Sequence, residues 1–404
     1  MTYIPRDIAK SVLNAVGMMP IIVITGMRQT GKSTFLQNQP ELKKYRYVTL
    51  DSFAQLAAAK ENPLAFVDTG DNLIIDEAQR CPELFIAIKQ IVDRKRTPGQ
   101  FILSGSANFL LMKNIADSLA GRALYITMHP FTRREISKMT NRQPFIKTFF
   151  HKPSAIHSKT VIPLSNEEII RGGMPPVIIG RALDPHVWFS GYEKTYIEQD
   201  IRDISRIGDV IAFRTLLHLV ALRTGNILSA SGLARDAKLK TATASNYLSL
   251  MEISCVLYRL YPFLGNRTSR LIKAPKIFIG DSGLACFLAG SRTLSEDVLK
   301  GALTETYIAQ NLQGIIDALW PDAQLYFWNI QGRHEVDFII EAGNASVAIE
   351  VKAAERWESK DLSGLKSFLA ATPQCKAGIL AYNGTDCIPL GNKLWAVPLV
   401  QLLM

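Results

Sequence analysis

Residues 20–34 read P-I-I-V-I-T-G-M-R-Q-T-G-K-S-T. The first six form a short, continuous, β-branched apolar run, the pattern of a strand buried on both faces. The next eight, residues 26–33, fit G-x-x-x-x-G-K-[ST], and T-F-L-Q continues as a helix. Strand, glycine loop and helix in that order build a phosphate cradle. Gly26 and Gly31 let backbone N–H groups turn inward, and the helix N-terminus adds a favourable field. The expected ATP contacts are therefore Gly26, Met27, Arg28, Gln29, Thr30, Gly31, Lys32, Ser33 and Thr34. Lys32 is expected to reach the β- and γ-phosphates, and Ser33 to ligate Mg²⁺. Taken alone, the stretch also reads as a chance glycine turn.

The second half of such a site follows at residues 72–77, N-L-I-I-D-E. The apolar residues form a strand that carries Asp76 to its carboxyl end, where open α/β sheets bind ligands. Asp76 is expected to hold the magnesium shell, and Glu77 to orient or deprotonate the attacking water. Two acids after an apolar run can equally be a plain strand end; the glycine loop upstream selects the functional reading. A third apolar run, residues 100–103, ends in S-G-S-A-N, which makes Ser106 and Asn108 candidates for contact with the γ-phosphate or the water. An ordinary strand-to-helix turn is the alternative. In S-L-A-G-R, Arg122 is a candidate to stabilise charge developing in phosphoryl transfer, in a neighbouring subunit's site. A surface arginine ending a helix is the alternative there, and Arg28 carries the same ambiguity. An arginine supplied by a neighbour implies a homo-oligomer, with a hexamer among the candidates.

The 404 residues predict two or three domains, and 48% hydrophobic with 20% charged residues is a globular composition. The start, M-T-Y-I-P-R-D-I-A-K, has no basic region followed by an apolar stretch, and no window approaches the roughly 18 apolar residues of a membrane span. The expectation is a soluble, cytoplasmic protein without a membrane partner. Five cysteines with no C-x-x-C pair argue against a disulfide framework or a zinc site.

The formal net charge of +10 points to a polyanionic partner. Residues 231–276 hold eight Lys or Arg against two acids, so this segment carries most of the excess. It also has helix-turn-helix proportions: S-A-S-G-L-A-R-D-A at 229–237, a tight connection, then K-T-A-T-A-S-N-Y-L-S-L-M-E at 240–252. Strands near 255–261 and 271–279, joined by G-N-R-T-S-R, are expected to make a wing. In the DNA-binding reading Lys238, Lys240, Thr241, Thr243, Ser245 and Asn246 face a groove while Arg267 and Arg270 grip phosphates. A structural winged helix with a solvated basic face is the alternative.

Near the end, residues 326–341, Y-F-W-N-I-Q-G-R-H-E-V-D-F-I-I-E, read as a hairpin turning at Gln331-Gly332, with Asp337 on its second strand. S-V-A-I-E-V-K at 346–352 is a further strand that presents Glu350 and Lys352 on one face, since residues two apart point the same way. An Asp followed by E-x-K on an adjacent strand resembles the PD-(D/E)xK nuclease core, with Glu305 of the preceding helix as the extra acid. Such carboxylates can hold a divalent cation, and the lysine can activate water. A fold kept for binding alone, or a solvated acidic hairpin, fits the same residues.

The set G-M-R-Q-T-G-K-S-T, L-I-I-D-E-A-Q-R-C-P, F-I-L-S-G-S-A-N and S-L-A-G-R resembles the bacterial and archaeal AAA+ superfamily ATPases whose second half is a DUF4143 region. R-G-G-M-P-P at 171–176, Y-E-K-T-Y-I-E-Q-D-I-R at 192–202, D-S-G-L-A at 281–285 and E-V-D-F-I-I at 335–340 resemble that family too. The resemblance implies an AAA-type core with a helical lid, and ATP hydrolysis. The expected fold is α/β: an AAA-type P-loop ATPase core (1–135), a helical lid or linker (136–210), a winged-helix segment (211–276) and a C-terminal α/β restriction-endonuclease-like domain (277–404). The expected function is a Mg²⁺-dependent ATPase that binds and remodels DNA. An ATP-regulated nuclease and a signalling or scaffolding ATPase acting on a protein partner are its rivals.

Overall fold

Five apolar runs of the first 127 residues pair into one parallel sheet in the computed structural model, which describes residues 3–105, 119–154, 161–180, 184–197, 209–330 and 334–404. The strands are β1 (Ile21–Thr25), β2 (Arg46–Thr49), β3 (Leu73–Asp76), β4 (Phe101–Ser104) and β5 (Ala123–Thr127). Their order is β2-β3-β4-β1-β5. The register Ile21↔Phe101, Leu73↔Phe101 and Ile21↔Ala123 brings all carboxyl ends to one edge. Side chains alternate across a strand, so each face has its own core. Ile21, Val23, Leu73, Ile75, Phe101 and Leu103 pack on one side. Ile22, Ile24, Ile74 and Ile102 pack on the other, against Ile8 and Val12 of the helix Ile8–Val16 and Phe35 and Leu36 of the helix Lys32–Asn38.

The next segment holds the helices Arg133–Ile136, Phe145–His151, Asn166–Arg171, Pro175–Ile179 and Pro185–Thr195. Three more helices follow, Val210–Ala221, Ala230–Asp236 and Thr241–Ile253, then β6 (Leu257–Leu260) and β7 (Lys276–Ile279). β6 and β7 form a two-stranded antiparallel sheet, and Ile227 makes an isolated antiparallel bridge to Lys276. The expected second wing strand starts later than residue 271. Asn266 caps a helix Arg267–Ile272 by accepting from the Thr268 backbone N–H at 2.9 Å. Pro275 disfavours helix for the residue before it, and the extended chain resumes only at Lys276.

The C-terminal region starts with the long helix Lys300–Leu319 and forms a sheet of β8 (Ala323–Ile330), β9 (His334–Ala342), β10 (Ala345–Lys352), β11 (Cys375–Tyr382), β12 (Ile388–Gly391) and β13 (Leu394–Pro398). The order is β12-β13-β11-β10-β9-β8. β8, β9 and β10 form an antiparallel meander, while β10, β11 and β13 run parallel. The expected hairpin is therefore β8 and β9, although its turn residues Gln331 and Gly332 lie outside the described residues. One hydrophobic cluster runs from Phe145 through Phe213, Leu248 and Phe278 to Phe338 and Leu403. A division at 276/277 thus falls at the start of β7, inside a shared core. Among the described residues no helix is long and apolar enough to cross a membrane.

Candidate active site

β1 is buried along its whole length and delivers the glycine loop to the carboxyl edge of the sheet. Gly26 has φ 141°, and a Cβ on it would lie 2.2 Å from the Met128 carbonyl oxygen, so only glycine fits. Gly31, at φ 92°, starts the helix Lys32–Asn38. The Thr30 hydroxyl donates to the Met27 carbonyl at 3.0 Å. Lys32 Nζ donates to the carbonyls of Gly26 and Met27 at 3.1 and 2.8 Å, which holds its ammonium at the loop. The Met27 side chain points away from the loop and is buried in the core of the middle region.

Asp76 ends β3 and is 2% exposed. The Tyr47 hydroxyl of β2 donates to its Oδ2, and the Ser104 hydroxyl of β4 to its Oδ1, each at 2.6 Å. Its carboxylate is thus fixed from both neighbouring strands. Glu77, at φ 55°, leaves the strand in a left-handed conformation. Its Oε2 accepts from Gln79 Nε2 at 2.5 Å, and burial raises its pKa above the ordinary glutamate value. A cavity of about 650 Å³ lies between these groups, lined by Arg28, Lys32, Ser33, Thr34 and Glu77 on the core side and by Pro175, Pro176 and Ile179 opposite.

Several of these residues escape sequence reasoning. Tyr47 and Ser104 sit in strands whose neighbours only the sheet order reveals. Arg6 precedes the motif altogether, yet its Nη1 donates to the Thr30 carbonyl at 2.8 Å and its Nε to Glu135 Oε1 at 3.1 Å, with the guanidinium 4.5 Å over the Phe131 ring. It clamps the loop from behind. The proline wall is visible in the sequence only as R-G-G-M-P-P, without a partner. That partner is D-S-G-L-A: the buried Asp281 accepts from the backbone N–H of Gly173 at 2.7 Å and of Leu284 at 2.9 Å. Burial raises the Asp281 carboxyl to about 6 against these bonds. Ser282 adds a bond from its hydroxyl to the Ile169 carbonyl at 2.8 Å.

Other expected positions are not at this cavity. Arg122 lies just before β5, at the opposite edge of the sheet from the loop, and its Nε and Nη2 donate to Asp93 at 2.6 and 2.8 Å. Ser106 and Asn108 lie outside the described residues. Within the basic segment, Lys238, Lys240, Thr241 and Asn246 are exposed and Thr243 is half-buried. Arg270 corrects the expectation of a phosphate-gripping side chain. It is buried, pairs with both carboxylate oxygens of Glu341, and lies 4.5 Å over the Phe263 ring. The Arg267 side chain is not among the described ones. Lys276, counted in the same basic excess, is buried against Glu305, Glu335 and Asp337. In the terminal set Asp337 Oδ2 accepts from the Val351 backbone N–H at 2.9 Å, and Lys352 Nζ lies 3.8 Å from Glu350 and 3.4 Å from Asp361, while no group of three or more His, Cys, Asp or Glu among the described residues is placed to hold a metal ion.

Residues 19–137 match the family model described as "AAA domain". Residues 163–295 match a domain of unknown function, DUF8612, and residues 300–402 another, DUF4143. The chain joins an AAA domain to a DUF4143 domain. The loop, Asp76 and Glu77 all belong to the AAA domain, a P-loop ATPase module, and Glu305, Asp337, Glu350 and Lys352 belong to the DUF4143 domain. The uncharacterized protein Rv2008c of Mycobacterium tuberculosis is 27% identical over 409 residues, covering 98% of this chain and 84% of that protein. The uncharacterized protein MJ1637 of Methanocaldococcus jannaschii is 22% identical over 328 residues, covering 72% and 67%. Among solved structures, the Walker-type ATPase paby2304 of Pyrococcus abyssi superposes with a TM-score of 0.42 at 14% identity, over 71% of this chain and 96% of that one.

Proposed function

We propose that this chain hydrolyses ATP with Mg²⁺ in the cavity between the glycine loop and the proline wall, and that it uses the cycle to act on DNA. The observation that carries the first part is that Lys32, Ser33 and Glu77 line one 650 Å³ cavity at the carboxyl edge of a parallel sheet, with Asp76 ending the strand directly before Glu77. Hard oxygen donors suit magnesium, and the Ser33 hydroxyl with the pinned Asp76 carboxylate fits it. When bound, the ion neutralises phosphate charge. The chain's own residues do the rest. Loop N–H groups orient the phosphates, Lys32 meets charge developing on the transferred group, and Glu77 holds the attacking water and accepts its proton. Arg28 is the one arginine lining the cavity among the described residues. A second, from a neighbouring copy, is the reason to include a homo-oligomer in the reading.

Gly26→Ala tests the cradle. ATP at about a hundred times its Kd should stabilise the wild-type protein by about 2.7 kcal/mol. The variant, whose Cβ would strike the Met128 carbonyl, should show no ATP-dependent shift in thermal unfolding. Equal shifts in the two proteins would remove the loop from the site.

DNA is supported by the exposed Lys238, Lys240, Thr241 and Asn246 around the N-terminus of the helix Thr241–Ile253. The measurement is ATP turnover with and without duplex, forked and four-way DNA at low and physiological salt. Turnover is expected to rise with DNA and to lose that rise as salt increases. Lys238→Ala and Lys240→Ala should each lower the salt slope of DNA binding by about one. A protein partner is the second reading, favoured by the internal pairing of Arg259 with Glu252 and of Arg270 with Glu341, which removes basic charge from the surface. Turnover indifferent to every DNA would select it.

A further inference from the structure

Carboxylates of the DUF4143 domain gather around a buried lysine, and among the described residues no group of three or more His, Cys, Asp or Glu side chains is placed to hold a metal ion. Asp337 projects from β9, Glu350 from β10 and Glu305 from the helix Lys300–Leu319. Lys276 Nζ lies 3.4 Å from Asp337 Oδ1 and 3.8 Å from Glu305 Oε2, and it also pairs with Glu335. The side chain is 4% exposed. A cation as buried as this needs such partners to persist. Its position is built into the backbone rather than left to a flexible stem. Lys276 opens β7 opposite Leu260 and bridges to Ile227, so two neighbouring segments fix it. The remaining Asp337 oxygen is taken by the Val351 backbone N–H, and Lys352 sits at the rim between Glu350 at 3.8 Å and Asp361 at 3.4 Å.

These residues do not fit a magnesium or manganese ion. An ion bridging Asp337 and Glu305 would lie against an ammonium that has no solvent to retreat to, and the two positive charges would repel across a buried site. We propose that the ammonium of Lys276 is the resident cation of this cluster, so that the DUF4143 domain carries a closed, metal-independent version of a nuclease-like site and takes no part in metal-dependent strand cleavage. Lys276 belongs to the preceding region, so the same contact ties β7 to the C-terminal sheet.

The test is manganese binding to the nucleotide-free full chain, followed by the electron paramagnetic resonance of free Mn²⁺, for the wild type, Glu305→Gln, Lys276→Met and the Lys276→Met/Glu305→Gln double variant. Wild type and Glu305→Gln should give the same isotherm. Lys276→Met, with the ammonium gone and the carboxylates kept, should gain one site at least about tenfold tighter than anything in the wild type, and the double variant should lose it. A wild-type Mn²⁺ site that Glu305→Gln weakens would overturn the proposal, as would a folded Lys276→Met protein that gains no site. Should Lys276→Met fail to fold, the comparison of wild type with Glu305→Gln decides by itself. Plasmid cleavage in Mn²⁺ by the wild type, abolished by Asp337→Asn, would also overturn it.

Discussion

Glu77→Gln is expected to retain ATP but to turn it over about 10²–10⁴-fold more slowly than the wild type, the usual worth of a positioned general base. The glutamine keeps the shape and the left-handed backbone at residue 77 while losing the proton acceptor. Lys32→Ala acts on a different term: removal of a charged donor aimed at developing charge costs about 10²–10³-fold in turnover, and it weakens ATP binding as well because the ammonium also meets the ground-state phosphates. The pair separates chemistry from binding. Steady-state turnover with thermal shift in ATP is the measurement, and Glu77→Gln turnover within a few-fold of wild type would remove Glu77 from the water-activating role. Tyr47 and Ser104 make Asp76 a fixed acceptor, so the geometry around Glu77 is not expected to relax in either variant.

The second large effect is on stability. Arg134 is fully buried, its Nε 2.7 Å from Asp7 Oδ2, and its Nη2 donates to the carbonyls of Met139 and Arg142 at 3.1 and 2.7 Å. Arg134→Met leaves Asp7 buried beside Glu135 without its cation and should cost about 3–5 kcal/mol, since breaking a buried pair strands the remaining charge. The pH dependence has a definite sign. Burial and Glu135 already raise Asp7 to about 7 against Arg134, and the variant raises it further. The folded state then binds a proton that the unfolded chain does not, so stability falls as pH rises from the ordinary aspartate value through the raised one. Chemical denaturation at pH 5 and pH 9 should therefore show a larger loss at pH 9. A loss under about 1 kcal/mol at both, the range of a surface pair, would mean that the pair is not closed to solvent.

Much of the candidate site is legible in the sequence because its determinants are local. A continuous β-branched run can only be a buried strand in this setting, a glycine is needed at a backbone with φ 141°, and Asp76 and Glu77 follow their strand directly. The same locality places Glu350 and Lys352 on one strand, two residues apart, and the helices Ala230–Asp236 and Thr241–Ile253 near their expected bounds. It also places a strand too early at 271, because the capping of Arg267–Ile272 by Asn266 outweighs the apolar Leu271-Ile272 pair.

The sequence by itself therefore determined the glycine loop between strand and helix, the acidic strand end and the α/β class, all of which depend on residues within a few positions of one another. Only the tertiary structure decided what the charges do. Lys276 and Arg270 read as part of a basic segment when summed along the chain, yet their partners Asp337 and Glu341 are 61 and 71 residues away in sequence and within hydrogen-bonding reach in space. Asp281 likewise meets Gly173 across 108 residues. Electrostatic attraction depends on distance through the fold and on burial, not on separation along the chain, so the sign and availability of a charged surface become known only when the strands that carry the opposing carboxylates are in place.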